Sequence, residues 1–158
     1  MARRTSLRDK KRETSLVRTI MKQYPEPIAG AFIFNPKGEL FLMKSHKWSD
    51  MYVVPGGHVE LGETLHEALI REAKEETGLS VYDPQFICFW EFISGEEFHK
   101  KKHMIFFNYL VRTNDTNVTL NEEAQEYIWV DPEESLKLPL NNYTRKTLEK
   151  YILKNKTM

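Results

Sequence analysis

The stretch GGHVELGETLHEALIREAKEETGL, residues 56–79, decides how this chain is read. From Thr64 to Thr77 its pattern is helical, and Gly78 supplies the stop. At roughly 100° per residue, Leu65 and Leu69 mark the middle of a buried stripe. Glu72 and Glu76 fall within about 60° of the same line, and Glu75 lies beside Glu72 on the flank nearer Ala68. The helix therefore begins by burying leucines and ends by pointing carboxylates the same way. Ionised carboxylates are costly to desolvate, and two at i, i+4 repel each other. A cation among them explains the cluster, and hard oxygen ligands of this kind suit Mg²⁺. The competing reading of the helix alone is a solvated acidic face, with Arg71 and Lys74 as ordinary ion-pair partners. The loop before it weighs toward a site. Gly56 and Gly57 let the backbone approach a ligand closely. Glu60 and Glu63 add carboxylates, and an Arg71–Glu63 pair would fix the loop to the helix.

Upstream, Ile28–Phe34 and Glu39–Lys44 read as a hairpin around the turn signal Asn35-Pro36-Lys37-Gly38. Ser45–Asp50 reads as a loop, and Met51–Val54 as a short strand that stops at Pro55-Gly56-Gly57. Downstream, Val81–Ile93 is β-rich but broken by Asp83-Pro84. Ser94–Lys102 reads as an exposed polar loop, and Met104–Arg112 as the strongest strand. Asn114–Asn117 reads as a turn and Tyr127–Val130 as a strand. A final helix spans 142 to about 155, with Thr147, Leu148, Tyr151 and Ile152 on one face. Many strands with helices inserted late predict a mixed sheet between helices, an α+β fold.

The 158 residues suit one domain, with 41% apolar and 29% charged residues, the balance of a globular protein. No apolar run suggests a membrane span or a secretory signal, and the single Cys88, in the apolar run FICFW, reads as core packing. A reducing cytoplasm is the expected compartment. The formal charge is zero but uneven. In residues 1–22, eight basic side chains stand against Asp9 and Glu13, leaving +6 there and −6 for the remainder. Tyr-Pro-Glu-Pro at 24–27 marks the boundary between a basic N-terminal extension, residues 1–24, and a domain over 25–158. Leu16, Val17, Ile20 and Met21 give that extension an apolar stripe if it is helical.

Residues 57–79 resemble the Nudix box of the MutT-like hydrolases: a glycine, five residues, glutamate, seven residues, then Arg-Glu-aliphatic-x-Glu-Glu-x-Gly-aliphatic. Gly57, Glu63, Arg71, Glu72, Glu75, Glu76, Gly78 and Leu79 fill the pattern, with Ala73 where a larger aliphatic is usual. The resemblance implies a Nudix-type α/β/α sandwich with a mixed β-sheet between helices. It implies Mg²⁺, with Mn²⁺ as a substitute, held by Glu72, Glu75, Glu76 and the carbonyl of Gly56. Arg71 would orient a metal-binding glutamate or the loop, and Glu63 would stand behind the ligands or activate water. A further carboxylate from outside the box is expected, and Glu123 is the first choice, ahead of Glu122.

The implied reaction is hydrolysis of a phosphoanhydride in a nucleoside diphosphate-linked compound. No proline falls near Ser94 and Gly95, where an ADP-ribose enzyme would carry one. No tyrosine of the dinucleoside polyphosphate type follows, and no NADH or coenzyme A signature is present. A nucleoside di- or triphosphate is left by elimination. Trp48 is the expected base-stacking residue, although Phe32, Phe34 and Tyr52 lie on neighbouring strands. Gly57 is expected to approach the substrate closely, and Lys44 to meet phosphate, ahead of Lys47 and the lysines at 100–102. The alternatives are a non-catalytic nucleotide-binding module and a decapping-like hydrolase whose basic arm holds RNA. The resemblance also makes a homodimer plausible.

Overall fold

The computed structural model describes residues 24–93 and 102–158, so the basic extension and most of the polar loop after Ile93 lie outside the described residues. The strands are β1 (Glu26–Phe34), β2 (Leu40–Ser45), β3 (Met51–Val53), β4 (Gly56–His58), β5 (Val81–Ile93), β6 (His103–Thr113) and β7 (Ala124–Val130). The helices are α1 (Leu65–Thr77), a single turn α2 (Pro132–Ser135) and α3 (Asn142–Lys156). β1 runs parallel to β6 from Glu26↔Met104 to Phe34↔Arg112, and the other strand pairs are antiparallel. The sheet is thus mixed, with helices on both faces.

The layering follows from side-chain alternation along β1. Ala29, Ala31 and Ile33 join Ala68, Leu69 and Ala73 of α1 in one core. Phe32 and Phe34 join Leu148 of α3 in the other, with Tyr151 against them. Small alanines on both partners let α1 lie close over the sheet. α1 itself is fixed at both ends. Thr64 and Glu67 form a reciprocal capping box, and Gly78 ends the helix at φ 73°.

The structure corrects the sequence reading at three places. Pro55-Gly56-Gly57 does not end the strand region, because Gly56–His58 is itself a strand on β1, registered Gly30↔Gly56, Ala29↔Gly57 and Ile28↔His58. Asp83-Pro84 does not break β5. Asp83 adopts φ 54°, the pairing with β6 slips between Tyr82 and Gln85, and the strand continues. Residues 132–135 form a turn of helix after Asp131, whose side chain caps it. Cys88 is buried. Among the described residues, no helix is long and apolar enough to cross a membrane.

Candidate active site

A cleft of about 180 Å³ lies where β4 and the C-terminal half of α1 meet the start of β7. Glu72, Glu76 and Glu123 line it, together with Gly56, Gly57, His58, Lys47 and Trp48. A second hollow of about 80 Å³ adjoins it and shares Trp48, Gly56 and Phe106. Tyr143, Asn108 and Asn141 line that second part. One end of the cleft is acidic, and the other is aromatic with two amides.

The acidic end is built from α1. Glu76 is only 3% exposed and accepts a hydrogen bond from the Gly56 amide at 3.0 Å. Burial is the main reason its carboxyl is pushed up to about 9. The Gly56 bond opposes this, and the nearby Glu72 and Glu123 charges add to it. Glu72 is also raised by burial, with Arg71 opposing. Glu72 rests against the strand only because residue 57 is glycine: a Cβ there would lie 2.3–2.6 Å from the Glu72 carboxylate atoms. At Gly56 a Cβ would stand 2.4 Å from the Ala29 carbonyl oxygen. Gly57→Ala is therefore expected to displace Glu72. Calorimetric titration with Mn²⁺ should show affinity lowered by about tenfold or more, as for other disturbances around metal ligands. An unchanged affinity would detach Glu72 from cation binding.

Arg71 ties the loop to the helix. Its Nε and Nη2 donate to the two oxygens of Glu63 at 2.7 and 2.9 Å, and Nη1 donates to Glu72 at 2.7 Å. Nη2 also reaches the His58 carbonyl at 3.0 Å. Glu63 is occupied on both oxygens, since Glu60 N–H donates to Oε2 as well. The Arg71 bonds bring its carboxyl down to about 2. This is a clamp, and it makes Glu63 a poor proton acceptor. Glu75 stands outside the cleft, 57% exposed, at 3.3 Å from Arg71 Nη1.

Glu123 comes from the turn before β7. That turn is held to α1 by Asn121 N–H donating to the Glu76 carbonyl at 3.2 Å. Its carboxylate shares a hydrogen bond with the Glu76 carboxyl and accepts one from Lys47 Nζ at 2.5 Å. Glu122 is exposed. Trp48 packs edge-on against Phe92 at 5.6 Å and tilted against Phe106 at 5.9 Å, leaving part of its ring on the cleft. Phe32 is buried and touches the hollow, whereas Phe34 is core and Tyr52 donates its hydroxyl to Glu126 at 2.6 Å. Lys44 lines neither part of the cleft. It sits opposite Tyr52 in the β2–β3 ladder, 3.8 Å from Glu126.

Asn108, Asn141 and His58 line the cleft without any mark in periodicity or spacing that singles out all three. Asn108 is 5% exposed and opposes Gly30, where a Cβ would lie 2.5 Å from its amide oxygen. A buried asparagine inside an otherwise apolar strand was a legible signal. Asn141 caps α3 by accepting from Tyr143 and Thr144 amides. His58 pairs with Glu26, which also accepts from Lys102 at 2.5 Å.

Among the described residues, no three carboxylate, histidine or cysteine groups already converge as a finished ligand set. Glu72 and Glu123 are engaged by Arg71 and Lys47. The donor chemistry nevertheless fits a hard divalent cation. The groups are all oxygens, one is buried and repelled by its neighbours, and glycine 57 leaves the cradle that Glu72 occupies.

Comparison with known proteins places these features in a family. A family model described as the NUDIX domain matches residues 25–151. The nucleoside triphosphatase NudI of Escherichia coli K12 is 37% identical over 106 residues, covering 61% of this chain and 73% of that relative. The crystal structure of a MutT protein from Methanosarcina mazei Go1 superposes with TM-score 0.72 at 29% identity, covering 85% of this chain and 99% of that one. A C. elegans Ap4A hydrolase shares the fold, with TM-score 0.66 at 24% identity over 84% and 99% of the two chains.

Proposed function

This chain belongs to the NUDIX family and is a pyrophosphohydrolase, and from that premise we propose that it hydrolyses a nucleoside di- or triphosphate with Mg²⁺. Nudix hydrolases generally use a divalent metal. The observation that carries the reading is the meeting of three carboxylates with an aromatic, amide-lined hollow in one cleft. The acidic end suits a metal-bound polyphosphate. The other end, with Trp48, Phe106, Asn108 and Asn141, suits a flat heterocycle with polar edges. The non-catalytic alternative, itself a Nudix-like module, is disfavoured by the full set of box glutamates, Glu72, Glu75 and Glu76 with Glu63.

Glu72, Glu76, Glu123 and the Gly56 carbonyl would hold the cation, and Glu75 would complete the set from the flank. When bound, Mg²⁺ neutralises diphosphate charge and acidifies a water. The chain's own groups do the rest. A water oxygen would form a bond to phosphorus while the bridging P–O bond breaks, its electron pair leaving with the departing phosphate group, and the water proton would pass to the Glu123 carboxylate. Glu76, fixed by the Gly56 amide, would present its carboxylate to the cation. Arg71 acts through Glu63 and Glu72, keeping loop and helix in register. Gly57 lets the substrate and Glu72 approach the same stretch of backbone. A cytoplasmic setting, nucleotides as the ligands and a domain spanning 25–158 complete the proposal.

A panel of nucleoside di- and triphosphates, ADP-ribose, dinucleoside polyphosphates, NADH and capped RNA tests the substrate class. Turnover concentrated on nucleoside di- or triphosphates is expected, and turnover concentrated on another class would replace the reading. Trp48→Ala should raise KM for the preferred nucleotide by about tenfold, the size of a lost aromatic stack. An unchanged KM would remove Trp48 from the base site.

A further inference from the structure

Among the described residues, Lys47 bonds directly to the proposed proton acceptor Glu123, and it is there for structural reasons. It lies in the 3-10 turn His46–Trp48, between β2 and β3. Trp48 anchors that turn on Phe92 and Phe106. The β2–β7 pairing bulges between Lys44 and Ser45, just before the turn begins. Ser49 and Asp50 both adopt left-handed backbone, at φ 55° and 58°, an arrangement non-glycine residues rarely take in succession. The turn is stitched to the segment carrying Glu123 by more than one contact. Gln125 Nε2 reaches Asp50 Oδ1 at 3.3 Å and also the His46 ring. Lys47 Nζ reaches Glu123 Oε1 at 2.5 Å. Both side chains line the cleft with Glu72 and Glu76.

Two roles compete for the Glu123 carboxylate. In the structure it is engaged by an ammonium; in the reaction it must face a cation and a water. An ammonium on a flexible stem is also an effective phosphate partner. We propose that Lys47 is an exchange latch: it neutralises Glu123 in the substrate-free enzyme, then transfers to the polyphosphate of the incoming substrate and leaves Glu123 open. This rests on the phosphoanhydride reading above. It adds a residue that couples substrate arrival to exposure of the proton acceptor. Until the polyphosphate arrives, one Glu123 oxygen is taken by the Lys47 ammonium.

The latch has a signature that a merely structural lysine lacks. Removing the charge frees Glu123 for the cation while depriving the polyphosphate of a partner, so two affinities move in opposite directions. Calorimetric titration with Mn²⁺ alone should show Lys47→Met binding about fivefold tighter than wild type, the scale of a partly exposed ion pair. Inorganic tripolyphosphate, titrated under saturating Mg²⁺, should bind the same variant about tenfold more weakly. Lys47→Arg should stay near wild type in both, which also reports that the turn is intact. Mn²⁺ affinity unchanged or weakened in Lys47→Met, or unchanged tripolyphosphate affinity, would overturn the latch. Neither probe contains a nucleoside, so failure of the nucleotide reading leaves both results interpretable.

Discussion

Glu76→Gln is expected to abolish metal-dependent turnover while making the cation-free protein more stable. The two effects share one cause. In the folded, cation-free protein the Glu76 carboxyl is pushed up to about 9, chiefly by burial, against a usual value of 4.5. A carboxyl whose folded value is raised costs stability above its unfolded value. The cost is absent below about pH 4.5, grows as pH rises and is complete above about 9. At pH 7 it amounts to about 3 kcal/mol. Glutamine is neutral, keeps the shape and can still accept from the Gly56 amide, so the variant should lose this pH dependence. Thermal melts in EDTA from pH 5 to 9 should show wild type falling steadily toward high pH and Glu76→Gln falling less steeply, since burial also raises Glu72. Turnover should fall by about 10³-fold, the scale on which one well-placed electrostatic group is lost. Wild type should also release close to one proton per Mg²⁺ bound at pH 7, because the cation displaces the proton held on Glu76. Parallel melting curves for the two proteins would show that Glu76 is ionised without a cation.

Arg71→Ala is the second large effect. One guanidinium satisfies Glu63, Glu72 and the His58 carbonyl, so its loss frees the loop and leaves carboxylates facing each other. Turnover should fall by about 10²-fold through misplacement of Glu72, the upper range for residues that orient metal ligands. Arg71→Lys should not rescue it, because one ammonium cannot reproduce a planar fork that bonds several acceptors at once. Stability should fall as well, with a definite pH signature. Glu63 is held down to about 2, so its contribution is present above pH 4.5 and is lost as pH falls toward 2. The gap in Tm between wild type and Arg71→Ala should therefore narrow on acidification. A gap that stayed constant would place the stabilisation elsewhere than the Glu63 pair.

The parts of this site that sequence revealed are those governed by periodicity and charge. Helical spacing put Glu72 and Glu76 within about 60° of the Leu65–Leu69 stripe, and the structure buries Leu69 and Glu76 together. The same spacing left Glu75 on the flank, where it is exposed. The mixed sheet followed from the order of the elements. What periodicity could not supply is the approach of distant segments. Gly56 and Gly57 read as breakers because glycine usually interrupts a strand. Here their missing side chains admit Ala29 from the sheet and Glu72 from the helix, so the segment pairs with β1. Lys44 and Lys47 are three residues apart and chemically alike. Ladder position sends Lys44 toward Tyr52 and Glu126, whereas the 3-10 turn brings Lys47 into the cleft. Asn141 lies beyond a helical turn that the sequence reading did not contain, so its place in the cleft depends on a path it could not trace.

The cleft of Glu72, Glu76 and Glu123 is proposed to hold the divalent cation on which nucleotide hydrolysis depends. The most direct test is the initial rate of nucleoside triphosphate hydrolysis against Mg²⁺ concentration, for wild type and Glu76→Gln. No turnover in EDTA, saturable activation of wild type by Mg²⁺, and almost none for the variant at any concentration are expected. Hydrolysis that persists in EDTA, or a Glu76→Gln curve that overlies wild type, would contradict it.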